Sequence, residues 1–154
     1  MQISVGCEYA IHGILYLALQ PQSEAVLVTD IAKAQNLPVS YLAKVFQLLA
    51  KAGLVKSFRG ARGGYLLVRD PSRITLRDVI QAIEGATPLY TSLSARRKCA
   101  ADEDCLIREA FCRAEASLYR ELEKVTLYEI MESANRHRSR MKWLQAPDAP
   151  VTST

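Results

Sequence analysis

Three of the four cysteines, Cys99, Cys105 and Cys112, fall within 14 residues, and Cys7 stands far from them. Thiolates are soft ligands for zinc and iron–sulfur centres, and they are also the groups that oxidise in place. The opening MQISVGCEYAIHGILYLALQ has an apolar run, but no basic leader precedes it and no small-residue cleavage site follows it. Helix spacing accounts for that run better than a signal peptide does, and the expected location is the cytoplasm. Disulfides are disfavoured there, so the cysteine group reads first as metal-binding or redox-active. Five residues separate Cys99 from Cys105, and six separate Cys105 from Cys112. On one continuous helix the last two would lie roughly 10 Å apart along the axis, at about 1.5 Å per residue. That is too far for one small cluster or a disulfide, so a helix here is expected to start late or to unwind near Cys105 when a cluster is bound. Cys7 reads as a buried helix residue, and His12 and His137 as structural or surface residues.

A second chemistry is written in charge. The net charge is +4, weak evidence by itself for a nucleic-acid partner. Its distribution says more. Residues 51–77 carry seven basic groups (Lys51, Lys56, Arg59, Arg62, Arg69, Arg73, Arg77) against the single acid Asp70, a balance of +6. Residues 99–132 hold nine acids and four bases, a balance of −5. A charge run is usually a solvated face, but this basic run coincides with a glycine-rich hairpin.

The elements that would position these groups follow from periodicity. Residues 5–19 place Ala10, Ile11, Ile14, Leu15, Leu17 and Ala18 at helical spacing, ended by Gln20-Pro21. Val26 to Val28 reads as extended, and Thr29 as the cap of a helix from Asp30 to Asn36. Leu37-Pro38-Val39 is a turn, since the residue before proline is pushed out of helical geometry. Ser40 then reads as the cap of a third helix, with Leu42, Val45, Phe46, Leu48 and Leu49 toward the core and Gly53 at its end. Strands Leu54–Phe58 and Gly64–Val68 flank the basic tip Arg59-Gly60-Ala61-Arg62-Gly63. A helix-turn-helix followed at once by such a hairpin is a winged helix. Thr75 caps a fourth helix from Leu76 to Glu84. A long helix from Leu106 to about Lys124 carries Ile107, Phe111, Ala114, Leu118, Leu122 and Val125, close to a heptad seam. A domain this small has little core left to cover that stripe, so the expectation is a homodimer. Thr126 restarts a helix through about Arg138.

The expected fold is therefore mostly α with a small β-wing: a winged helix-turn-helix domain plus a long dimerisation helix. Residues 1–86 form the DNA-binding domain and 87–112 the cysteine-bearing sensor loop. Residues 106–138 form the dimerisation and C-terminal helices, and 139–154 a disordered tail. Major-groove reading needs polar residues at the start of a helix. Ser40, Tyr41, Lys44 and Gln47 supply them, on the face opposite the apolar stripe of the third helix. Gly60, Gly63 and Gly64 let the wing turn sharply and approach a duplex, so that Arg59 and Arg62 can enter a narrow minor groove. Thr29 and Lys56 are candidate phosphate contacts, which position without specifying. No nucleophile–base pair, phosphate-binding glycine loop or paired carboxylates stand out, which argues against an enzyme. No stretch approaches the roughly 20 apolar residues of a membrane span.

The segments MQISVGCEYAI, PVSYLAKVFQLLAKAGLVKSFRGARGGYLL and TLRDVIQAIEG resemble the Rrf2 family of bacterial regulators, over roughly residues 1–135. The resemblance implies a homodimer with crossing long helices and DNA-reading heads on either side, acting on a double-stranded operator, by default as a repressor. It puts Ser40, Tyr41 and Lys44 at recognition-helix positions and Arg59 at the minor-groove position. Ala43 fills a place where some members carry glutamate. Cluster-sensing members carry three cysteines between the fourth helix and the dimer helix. The resemblance therefore implies a two-iron or four-iron iron–sulfur cluster on Cys99, Cys105 and Cys112, sensing iron, redox state or nitric oxide. The spacing is one residue longer than the family's five and five. For a fourth ligand it offers Glu115, or Glu8 supplied by the partner subunit. Glu8 is favoured, because helix 1 of one subunit would meet the loop of the other. The alternative is a cluster-free regulator of the same fold, switched by thiol oxidation or zinc.

Overall fold

A computed structural model describes residues 3–60, 63–85 and 105–137. The elements in chain order are α1 (Val5–Ala18), α2 (Val28–Ala34), α3 (Val39–Lys51), β1 (Val55–Phe58), β2 (Gly64–Leu67), α4 (Leu76–Glu84), α5 (Leu106–Glu123) and α6 (Leu127–Arg136), with a 3-10 turn at Pro71–Arg73. This is the mostly helical winged architecture that the periodicity predicts.

The starts of α2 and α3 differ from expectation. Val26 pairs with Tyr65, each N–H donating to the other's carbonyl at 3.0 and 2.8 Å. That bridge ends the extended stretch at Val26, and Leu27 becomes the N-cap of α2. Pro38, whose ring presets φ, is the N-cap of α3 at φ −61°. Thr29 and Ser40 therefore sit inside the first turns and do not cap them. Both helices then end in paired reversals. Leu37 N–H reaches Ala32 O past Asn36, and Leu54 N–H reaches Leu49 O past Gly53. Asn36 and Gly53 adopt φ of +52° and +72°, the left-handed geometry that lets a helix stop and the chain turn.

Among the described residues, one core joins every α-helix except α5. Ile14 and Leu17 of α1, Ile31 of α2, Leu42, Phe46 and Leu49 of α3, Leu54, Ile74 and Val79 are essentially inaccessible to solvent. Leu127 and Ala134 of α6 join the same cluster, so the C-terminal helix packs back onto the winged head. The start of α6 is stitched to the start of α4: Thr75 bridges Thr126, Leu76 N–H donates to Val125 O at 2.9 Å, and Leu127 N–H to Ile74 O at 2.7 Å. Each threonine closes a capping box, with Asp78 and with Glu129. In contrast, every α5 side chain is exposed or only half-buried. Ile107 is 62% and Phe111 46% exposed. The helix is held to α4 where Arg77 pairs with Glu123 at 2.9 Å and lies over the Tyr119 ring.

Candidate nucleic-acid interface and thiol segment

The amphipathic pattern of α3 decides what it offers to solvent. Burying Leu42, Val45, Phe46 and Leu49 turns Ser40, Lys44 and Gln47 outward on one face, and all three are exposed. Tyr41 is exposed to 39%, yet it is not a free surface side chain. Its ring meets that of Tyr9 edge-on, with centroids 5.8 Å apart and planes at 89°.

The wing is anchored to this helix from beneath. Phe46 of α3 packs against Tyr65 of β2, centroids 4.8 Å apart. β1 and β2 run antiparallel with Lys56 opposite Leu66 and Phe58 opposite Gly64. Val26 adds an isolated antiparallel bridge to Tyr65 of β2 beside this two-stranded sheet. Lys56 lies 5.4 Å from the Phe58 ring centroid, a cation–π contact that holds the ammonium group on the wing. Arg59 and Gly60 are exposed at the tip. Arg62 lies outside the described residues. Thr29 is exposed in the first turn of α2.

The cysteines divide by environment. Cys7 is fully buried in α1, as expected, and its thiol donates to Glu84 Oε1 at 3.1 Å. Burial, then the Glu84 hydrogen bond and charge, push its pKa up to about 12. Cys105 is the half-buried N-cap of α5, with extended backbone at φ −80° and ψ 101°. Cys112 is exposed within that helix. They stand seven positions apart, close to two helical turns, so they fall on one side of α5 and roughly 10 Å apart along its axis. The helix does begin just after Cys105, but it runs unbroken past Cys112. Cys99 lies outside the described residues, as does most of the sensor loop and the tail from 138 onward.

Among the described residues, neither candidate fourth ligand joins Cys105 and Cys112 in a metal site. Glu8 is exposed on α1, beside a hollow of about 320 Å³ lined by Ile3, Val5, Ile11 and His12. Glu115 is half-buried on α5. Burial holds the His12 imidazole below its ordinary range, against a smaller opposing effect of Glu8. Among the described residues, no three His, Cys, Asp or Glu side chains gather where a metal ion could be held. Cys105 and Cys112 are held apart by the rise of one helix. Tyr9, Gly6 and Glu84, which frame Tyr41 and Cys7, were not legible as site residues, because their roles arise between helices distant in sequence.

A helix-turn-helix joined directly to a two-stranded wing, with a recognition helix exposing polar residues, defines the winged-helix class of transcriptional regulators. Within that class the chain belongs to the Rrf2 family, described as iron-dependent transcriptional regulators, whose profile matches residues 3–133. A helix-turn-helix-type transcriptional regulator of Neisseria meningitidis is 32% identical over 135 residues, 88% of this chain and 90% of that protein. The structure of CymR, the global cysteine regulator of B. subtilis, matches with a TM-score of 0.70 and 31% identity, covering 86% of this chain and 98% of CymR. IscR of T. potens matches with a TM-score of 0.68 and 28% identity, covering 90% and 91%. The chain is a transcriptional regulator and not an enzyme. Among the described residues, no helix is long and apolar enough to cross a membrane.

Proposed function

We propose that this regulator is a homodimer that binds duplex operator DNA through α3 and the wing, with its affinity set by thiol chemistry at Cys99, Cys105 and Cys112. Residues 1–86 supply the reading head, 87–112 the sensor, and α5 the contact between copies. The observation that carries the DNA-binding part is the exposed set Ser40, Tyr41, Lys44 and Gln47 on α3, continued by Lys56, Arg59 and Gly60 on the wing. Arg62 extends it at the tip, and Thr29 adds a phosphate contact from α2.

Geometry favours the thiol switch. A disulfide needs its Cα atoms within about 7 Å, so Cys105 and Cys112 on one helix do not pair with each other. Within the chain Cys99 is the partner open to either of them, since Cys7 is buried against Glu84. Two-electron oxidation by a peroxide would join two of these sulfurs and pass their two electrons and two protons to the peroxide, leaving two waters from hydrogen peroxide or one water and an alcohol from an alkyl peroxide. The likeness to CymR, named for cysteine regulation, supports this reading; zinc held by the same reduced thiols is its metal-bound form, and it needs the same convergence of the α5 thiols as a cluster does.

A second reading keeps an iron–sulfur cluster on Cys99, Cys105 and Cys112, with Glu8 of the partner subunit or Glu115 completing the set. The family's description as iron-dependent and the likeness to IscR favour it. It requires the first two turns of α5 to rearrange so that the thiols converge. Protein purified without oxygen separates the readings. Colourless, iron-free protein that cannot be reconstituted with iron and sulfide, and whose operator affinity responds reversibly to peroxide and dithiothreitol, supports the thiol switch. Coloured, iron-containing protein that loses its spectrum on replacing any of the three cysteines overturns it in favour of the cluster.

A further inference from the structure

Three helices meet at the first turn of α1. The backbone N–H of Ser4, its N-cap, donates to Glu84 Oε1 at 3.0 Å, and the Cys7 thiol donates to the same oxygen at 3.1 Å. Glu84 is the last residue of α4, and from it the chain enters the segment that carries Cys99. The same part of α1 also touches the recognition helix, because Tyr9 holds the Tyr41 ring edge-on. Gly6 lies at the junction. A methyl group on it would come within 3.3 Å of Ser4 Oγ, 3.4 Å of Tyr41 Oη and 3.6 Å of Ile83 Cγ2. The Tyr41 hydroxyl, the end of α4 and the backbone of α1 thus converge on the space left by one missing side chain.

We infer that Glu84 is a positioning residue for DNA reading: its clamp on the first turn of α1 fixes where Tyr9 and Gly6 hold Tyr41, and so ties the entry to the cysteine segment to the recognition helix. The inference rests on the DNA-binding reading above. A carboxylate oxygen accepting two donors makes charge-assisted bonds, stronger than neutral ones. Both are made by a single side chain at the end of a helix, so a pull from the cysteine segment that withdraws Glu84 releases both donors together. Because both bonds end on one oxygen, the inferred coupling is their joint loss, a switch between a closed and an open clamp. Opening it frees the α1 turn against which Tyr41 is packed, without disturbing the buried side of α3.

The test uses the full chain and a duplex selected by the wild type from a random pool, with a scrambled duplex of equal length as control. Affinities for both are measured by fluorescence anisotropy. Glu84→Ala and Tyr9→Ala should each weaken binding of the selected duplex by about tenfold, a typical coupling between sites, and leave the scrambled duplex unchanged. The double variant should lose no more than either single one. Glu84→Gln, which keeps an oxygen acceptor for the Ser4 N–H, should restore most of the loss. Ser4→Pro removes that N–H at a residue whose φ of −69° suits proline, and should reproduce the Glu84→Ala effect should that variant fold poorly. Wild-type discrimination in Glu84→Ala and Ser4→Pro, equal loss on both duplexes, or strictly additive losses overturn the inference while DNA binding stands. A wild type that enriches no duplex overturns the DNA-binding reading and this inference with it.

Discussion

Arg59 and Cys7 mark the two extremes of what single residues do in this chain. Arg59 is exposed just after β1, where it is not part of the core formed by the described residues. Arg59→Ala should leave thermal unfolding unchanged and weaken operator binding by about 1–3 kcal/mol, as expected for one groove contact; gel-shift titration against the selected duplex checks this. Cys7 is the opposite case. Its thiol is held neutral with a pKa of about 12, above the ordinary 9.0. A raised acid pKa stabilises the fold below the ordinary value, and the contribution fades as pH climbs from there through the folded value. A thiol-specific disulfide reagent at neutral pH should label Cys112 quickly and Cys7 only after unfolding, which mass spectrometry of the labelled peptides reports. Glu84 runs the other way. Hydrogen bonds from Ser4, then Cys7, hold its carboxyl below the ordinary 4.5. The stability it contributes is therefore present near neutral pH and lost as pH falls through that value and below. Glu84→Gln should flatten this acid limb in denaturant titrations between about pH 5 and pH 3.

Among the elements, the wing is the most sharply specified. Gly64 opens β2 at φ +143°, and a Cβ there would lie 2.5 Å from Val26 O. The close approach is what allows the Val26–Tyr65 bridge to form beside β2. Gly64→Ala adds a strained backbone to a direct clash, and should cost about 1–3 kcal/mol or more in denaturant unfolding. Operator binding should fall further still, because the wing would tilt away from α3. The paired caps of α4 and α6 make a milder test. Thr75 accepts from the Asp78 N–H at 3.2 Å and also lies in the bridge to Thr126. Thr75→Ala should destabilise the chain by about 0.5–2 kcal/mol without changing discrimination between duplexes.

For the whole molecule, α5 is the described helix with no fully buried side chain, and the proposed dimer would cover it. Its stripe runs from the exposed Ile107 and Phe111 to the half-buried Leu118 and Leu122. Sedimentation velocity should therefore find a dimer at micromolar concentration. Ile107→Asp is the cleaner disruption, because this side chain is already exposed within one chain and its replacement leaves the core intact. An unpaired carboxylate in an apolar seam is costly, so this variant should sediment as a monomer with unchanged helicity. Loss of specific operator binding should accompany it, since two heads must reach two half-sites. Leu118→Asp should act in the same direction, with some loss of stability where Leu118 faces its own chain.

The sequence by itself determined the helix periods, the wing and the cap of α4, because each is a local matter of alternation, glycine placement and a threonine followed by an acid. It also pointed to Cys7 as a buried helix residue, which it is. Where α2 and α3 begin was not local. The Val26–Tyr65 bridge spans 39 positions of sequence, and it moved the helix start ahead of Thr29. Tertiary packing alone decided that Tyr41 leans on Tyr9, that Glu84 reaches back to Ser4 and Cys7, and that α6 shares the core of the head. It also decided the relation of Cys105 to Cys112, since the count between them admits either a loop or a helix, and only the continuous α5 sets their separation. These features depend on side chains brought together by the core rather than by spacing, and hydrophobic burial, which assembles that core, is non-directional until the whole chain is packed.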